Sequence, residues 1–220
     1  MKVAIFFGSK SDTEKMKGAA NCLKEFGIEY EAYVLSAHRV PEKLEEVLAD
    51  LEKRGAEAII AGAGLAAHLP GVIASKTVLP VVGVPLNGAI GGLDALYSIV
   101  QMPKSIPVAT VGIDNSYNAA MLSVQILALK YPEIKEKLVK FRKEMLILHI
   151  ANHTLGSNMF SENGMASMKY HLAWNGLMLK NYMGRLISAG YVYEDKKKGI
   201  YVLTDKGMEL QAQIKHTYGL

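Results

Sequence analysis

Short apolar runs alternate with longer stretches of helical spacing over the first two-thirds of this chain. The runs KVAIFF, YEAYVLS, EAIIAG, LPVVGV and IPVATVGI, starting at residues 2, 30, 57, 79 and 106, are rich in β-branched and aromatic residues. They are nearly continuous in apolar character, the pattern of parallel strands buried on both faces. Between and after them, 12–26, 41–54, 68–77, 92–101, 115–130 and 133–148 read as helices. In the first, Met16, Ala19, Leu23 and Phe26 share one face, with lysines and glutamates opposite. Repeated strand–helix units predict an α/β fold: a doubly wound, parallel, five-stranded sheet with right-handed crossovers.

The pattern changes after about residue 149. Seven of the eleven methionines lie at or beyond Met145. ASMKYHLAW and LMLKNYMGRLISAG read as helices, YVYEDKKKGIYVLTDKG as a hairpin around a charged turn, and GMELQAQIKH as a last helix. Two domains are expected, 1–148 and 149–220.

Composition narrows the class. Of 220 residues, 50% are apolar and 21% charged, ordinary values for a globular chain with a real core. The single cysteine, Cys22, lies among Leu23 and Phe26 and reads as a buried thiol; a disulfide within the chain or a multi-cysteine metal site is excluded. The N-terminal apolar run is too short for a signal segment, and no stretch approaches the roughly 18 apolar residues of a membrane span, so a cytoplasmic protein is expected. Residues 1–144 hold 17 basic and 16 acidic side chains, a net of +1; residues 145–220 hold 8 and 5, a net of +3.

In an open parallel sheet, ligands sit beyond the carboxyl ends of the strands, so the segments that follow them carry the chemistry. Strand 1 runs into GSKSD, where Gly8 eases a close turn, Ser9 and Ser11 offer hydroxyls, and Asp12 can cap the next helix. Strand 2 runs into SAHR, with Ser36, the titratable His38, and Arg39, whose fork fits a phosphate. A solitary histidine is more often structural, but this one sits at the expected crevice. Strand 3 runs into AGAGLAAHLPG, with Ala63, Gly64, Ala67, His68 and Leu69. Gly62, Gly64 and Ala67 also fit the dinucleotide fingerprint G-x-G-x-x-G/A. That fingerprint needs an acid about 20 residues on. Here that region reads VVGVPLN and the next acid is Asp94, so the dinucleotide reading is rejected.

GSKSD, SAHR, AGAGLAAHLPG, LYSIVQMP, IPVAT and NAAMLSVQIL, in this order over roughly residues 2–145, resemble the aminoimidazole ribonucleotide carboxylases and mutases of purine biosynthesis. The resemblance implies a flavodoxin-like fold, a homo-octamer, and no metal or nucleotide cofactor. AAHLPG resembles the mutase class, which converts 5-(carboxyamino)imidazole ribonucleotide to 4-carboxy-5-aminoimidazole ribonucleotide; direct carboxylation of aminoimidazole ribonucleotide is the alternative. By motif position, His38 and His68 are the catalytic candidates, His38 as general acid/base and His68 in the pocket wall. Ser9, Asp12 and Arg39 are implied to hold the ribose phosphate. Gly8, Ser11, Ser36, Ala63, Gly64, Ala67 and Leu69 complete the expected substrate contacts. Two departures stand out: Leu65 occupies a position where the mutases usually have glycine, and GIDNSYNAA is shorter than the usual loop.

The tail resembles a small archaeal-type winged-helix module, with YMGRLISAGYV as recognition helix and YEDKKKGIYVLTDKG as wing. Its partner is left between DNA and protein. Met178 and Met183 read as core. His149 and His153, spaced i, i+4 without the glutamate of H-E-x-x-H, do not read as a zinc site. Three classes of function remain: an enzyme of purine biosynthesis, which is favoured; a DNA-binding regulator that senses a purine intermediate; and an enzyme whose tail only builds the oligomer.

Overall fold

The computed structural model describes residues 1–66, 68–88, 90–155, 165–167 and 176–218. Two compact units divide it, Met1–Leu138 and Val139–Leu220.

In the first unit, β1 (Lys2–Phe7), β2 (Glu29–Val34), β3 (Ala56–Gly64), β4 (Val81–Leu86) and β5 (Ala109–Thr110) form one parallel sheet in the order β2-β1-β3-β4-β5. This is the doubly wound, flavodoxin-like order, with its reversal between β1 and β3. The central strands β1 and β4 are buried almost throughout, as their unbroken apolar runs require, while edge strand β2 alternates toward solvent. Helices α1 (Thr13–Phe26), α2 (Pro41–Leu51), α3 (Leu69–Ala74) and α4 (Leu93–Val100) are the connections, and α5 (Ser116–Leu127) follows the last strand. On α1, Met16, Ala19, Cys22, Leu23 and Phe26 are buried, and Gly27 at φ 70° ends the helix. Burial pushes the Cys22 thiol up to about 12, so it stays protonated and inert. Helix α6 (Pro132–Leu155) extends beyond the expected end at residue 148.

Two strands differ from the sequence reading. The last was expected over 106–113, but only Ala109 and Thr110 pair with β4. Pro107 has no N–H to give to a ladder, which confines pairing to the residues beyond it. Strand β3, by contrast, runs on past the expected end at Gly62 through Ala63 and Gly64. The bareness of Gly62 serves packing: a Cβ there would lie 2.4 Å from the Met16 sulfur of α1.

In the second unit, β6 (Met165–Ser167), β7 (Val192–Asp195) and β8 (Ile200–Leu203) form an antiparallel sheet in the order β6-β8-β7. Helix α7 (Gly176–Ser188) leads through Gly190, at φ 76°, into β7, and α8 (Asp205–Tyr218) follows β8. Met183, Leu186, Val192, Tyr201 and Leu203 are buried in this unit. The expected helix ASMKYHLAW begins instead as strand β6, because Met165–Ser167 pair with Ile200–Val202; the rest of it lies outside the described residues.

Candidate active site

The ends of β1, β2, β3 and β4 converge on one cavity of about 350 Å³. After β1, Ser9 caps a short 3-10 turn, Lys10–Asp12, its Oγ accepting from the Ser11 backbone N–H and hydroxyl. Gly8 was expected to ease a turn, but it holds no left-handed angle; a Cβ there would touch nothing within 4 Å, so its bareness leaves space in the cavity. Asp12 was expected to cap α1. It stands at the cap position, yet its side chain makes no capping bond, which leaves the carboxylate to the cavity it lines.

After β2, the Ser36 carbonyl accepts from the N–H groups of both Arg39 and Val40, folding SAHR into a tight turn before Pro41 opens α2. Ser36, Ala37, His38 and Arg39 all line the cavity, and the last two are exposed at its mouth. The end of β3 gives Ala63 and Gly64, followed by Leu65 and, on α3, Leu69. Leu65 holds φ 56°, a left-handed conformation a branched side chain rarely takes.

His68 is not among the lining residues. It occupies the cap position of α3, half-buried, and its ring lies so close over Gly71 that a Cβ there would come within 2.1 Å of Nε2. The helix has room for that ring only because residue 71 lacks a side chain. Ala67 lies outside the described residues.

Sequence reasoning missed Asn87 and Gly88, which line the cavity after β4. The same strand-end rule applied to VVGVPLNG would have found them. Asn87 is gripped on both sides: its N–H donates to Asp114 Oδ1 at 2.8 Å, and its carbonyl accepts from Lys15 Nζ. Lys15 and Asp114 also pair at 3.9 Å, and the Asp114 N–H donates to the Pro85 carbonyl. The short GIDNSYNAA loop thus closes back onto the end of β4 and fixes a cavity residue.

One cavity therefore combines an arginine fork, three serine hydroxyls, an uncapped carboxylate and an exposed imidazole. That set can grip a phosphate, bind hydroxyls and exchange a proton. Among the described residues no cluster of three or more His, Cys, Asp or Glu gathers as a metal site would, and no helix is long and apolar enough to cross a membrane.

A model of the AIR carboxylase family matches residues 2–146, the part of the chain that builds the sheet and this cavity. The chain belongs to the AIR carboxylase family. Curated AIR carboxylase relatives include the N5-carboxyaminoimidazole ribonucleotide mutase of Pyrococcus abyssi, 59% identical over 66% of this chain and 83% of its own. The mutase of the same name from Saccharolobus solfataricus is 55% identical over 66% of this chain and 92% of its own. Among solved structures, Treponema denticola PurE superimposes with a TM-score of 0.65 at 28% identity, covering 70% of this chain and 96% of that one. The AIR carboxylase match ends within α6, and residues 147–220 lie beyond it.

Proposed function

We propose that this chain is a 5-(carboxyamino)imidazole ribonucleotide mutase of purine biosynthesis. The observation that carries the reading is the convergence of GSKSD, SAHR and Ala63–Leu65 on one cavity, in a chain 53–60% identical to relatives that bear the mutase name.

In this reading Arg39 and the Ser9 hydroxyl take the ribose phosphate, and Asp12 accepts from ribose hydroxyls. The carbamate C–N bond breaks, releasing carbon dioxide, and the amine nitrogen takes a proton from His38. The electron-rich ring carbon then attacks the trapped carbon dioxide, forming the C–C bond. His38, now a base, removes the proton from that carbon and restores aromaticity. The proton given to nitrogen equals the proton taken from carbon, so the cycle closes with no net consumption. Confinement does most of the work, because carbon dioxide held against the ring reacts as if at very high concentration. His68, packed on Gly71 beside the lining, acts by holding the turn into α3.

We assign the cytoplasm as the site of action, since a phosphorylated ribonucleotide does not cross membranes unaided. A homo-octamer is proposed as well. On α4, Leu93, Tyr97 and Val100 recur at i, i+4 and i+7, each about half exposed, and Ile90 extends the stripe. Such a stripe is expected to be covered by another copy, and a monomeric mass in sedimentation would contradict it.

The test of the activity is incubation with the carbamate substrate, free of ATP and added bicarbonate, against aminoimidazole ribonucleotide with physiological bicarbonate. Rapid conversion of the first is expected. A strong preference for the second would make the chain a direct carboxylase.

A further inference from the structure

We propose that Val139–Leu220 is a winged-helix module that binds duplex DNA, with the exposed face of α7 in the major groove and the Lys196–Lys198 turn on the phosphate backbone. Nothing in the proposed mutase chemistry uses these residues, and the proposal stands independently of it.

Topology is the first support. A helix leads into a two-stranded hairpin, and the hairpin's second strand lies centrally in a three-stranded sheet, order β6-β8-β7. The module's core fixes which side of α7 faces out. Met183 and Leu186 are fully buried with Val192, Tyr201 and Leu203. Asn181, Gly184, Arg185 and Ser188 are exposed on the opposite side, with Lys180 and Ile187 exposed along its edges. At roughly 1.5 Å per residue, the 13 residues of α7 make a rod about 20 Å long.

The chemistry of that face favours DNA. Lys, Asn, Arg and Ser are the side chains that read base edges and phosphates, and Asn and Arg do so bidentately. A protein-docking face wants a buried aromatic or aliphatic centre; among the α7 residues whose side chains are described, 180–188, the one exposed large apolar side chain is Ile187, at 38% exposure. The major groove of B-form DNA admits a helix, whereas that of A-form RNA is too narrow.

The hairpin turn is built to present charge. Asp195 Oδ1 accepts from the N–H groups of Lys197 (3.0 Å) and Lys198 (3.2 Å), and Gly199 at φ 64° closes the turn. This spends the carboxylate on backbone, with only a 4.0 Å surface pairing to Lys198 Nζ, and leaves Lys196 and Lys197 exposed. Lys206 is not part of the patch, because it donates to the Ala189 carbonyl and lies over the Tyr191 ring. The two units also differ in charge. Residues 139–220 carry 11 Lys and Arg against 6 Asp and Glu, a net of +5; residues 1–138 carry 14 against 15, a net of −1.

The experiment is fluorescence anisotropy of a labelled 30-base-pair duplex with the full-length chain, at 50 and 200 mM salt. If about four phosphates are neutralised, affinity falls about a hundredfold across that range. Replacing Lys196, Lys197 and Lys198 together with Ala should weaken binding at least tenfold and flatten the salt slope, while mutase turnover and the thermal midpoint hold. Should that variant unfold, Asn181→Ala with Arg185→Ala carries the same test on α7. Absence of binding at 50 mM salt, binding untouched by both sets of substitutions, or tighter binding to duplex RNA or single strands would each overturn the proposal.

Discussion

Leu65 folds over Gly88: a Cβ on that glycine would lie 3.2 Å from Leu65 Cδ2. The two residues follow the ends of β3 and β4 and both line the cavity, where the leucine lies as an apolar flap on Gly88. Its left-handed angle costs on the order of 1 kcal/mol, and the side chain is 55% exposed, so core burial does not repay that cost. Leu65→Gly should therefore change stability by no more than about 0.5 kcal/mol, the lost strain offset by the freer unfolded chain. It should also let carbon dioxide escape. Incorporation of labelled bicarbonate into product during turnover should rise several-fold, and no rise would remove the flap's role.

His38→Asn should lower kcat by about two orders of magnitude or more, with substrate affinity kept. Single-turnover kinetics with an independent binding measurement separates the two. Near-normal turnover would mean that another group moves the proton.

Arg39→Lys tests the phosphate grip. Charge is conserved but the two-pronged geometry is not, so KM should rise about tenfold with kcat little changed. The substrate's ribonucleoside, lacking the phosphate, should be indifferent to the substitution.

Gly62 and Met16 should behave as a coupled pair. Gly62→Ala forces a methyl group into the Met16 sulfur and should cost about 1–3 kcal/mol in chemical denaturation. Met16→Ala removes the obstacle, so the double variant should be more stable than the sum of the single effects.

Acid stability should hinge on Glu31. The hydrogen bond from Lys2, at 2.8 Å, and then that from Tyr33 hold its carboxyl down at about 2, against an ordinary 4.5. A depressed folded value stabilises the protein above the unfolded value, and the gain is lost as pH falls through the folded one. The cluster should thus lose about 1–2 kcal/mol between roughly pH 5 and 2, allowing for its partial exposure to solvent. Glu31→Gln should flatten that part of the stability profile, measured by urea midpoints across the range.

Most of the catalytic unit was legible because parallel strands announce themselves as apolar runs, and strand ends locate ligands. What was not legible shares a cause, namely that tertiary partners are invisible in a linear pattern. Gly62 ended a run read as strand, but nothing in the sequence says that Met16 packs against it. His68 was expected in the pocket wall, and Gly71's role in receiving its ring shows only in three dimensions. Asp114 and Lys15, 99 residues apart, clasp Asn87 through backbone contacts that leave no motif. In the tail, hydrophobic spacing found α7 and the hairpin, but the short β6 has meaning only beside β8.

The buried Cys22 makes this protein its own blank for thiol chemistry. It is the chain's only cysteine, fully enclosed and held protonated to about pH 12, so alkylating probes will pass it by. A cysteine placed at Lys197 or Leu65 would take a single fluorophore with no prior removal of native thiols, giving separate optical reporters for the hairpin turn and the cavity flap.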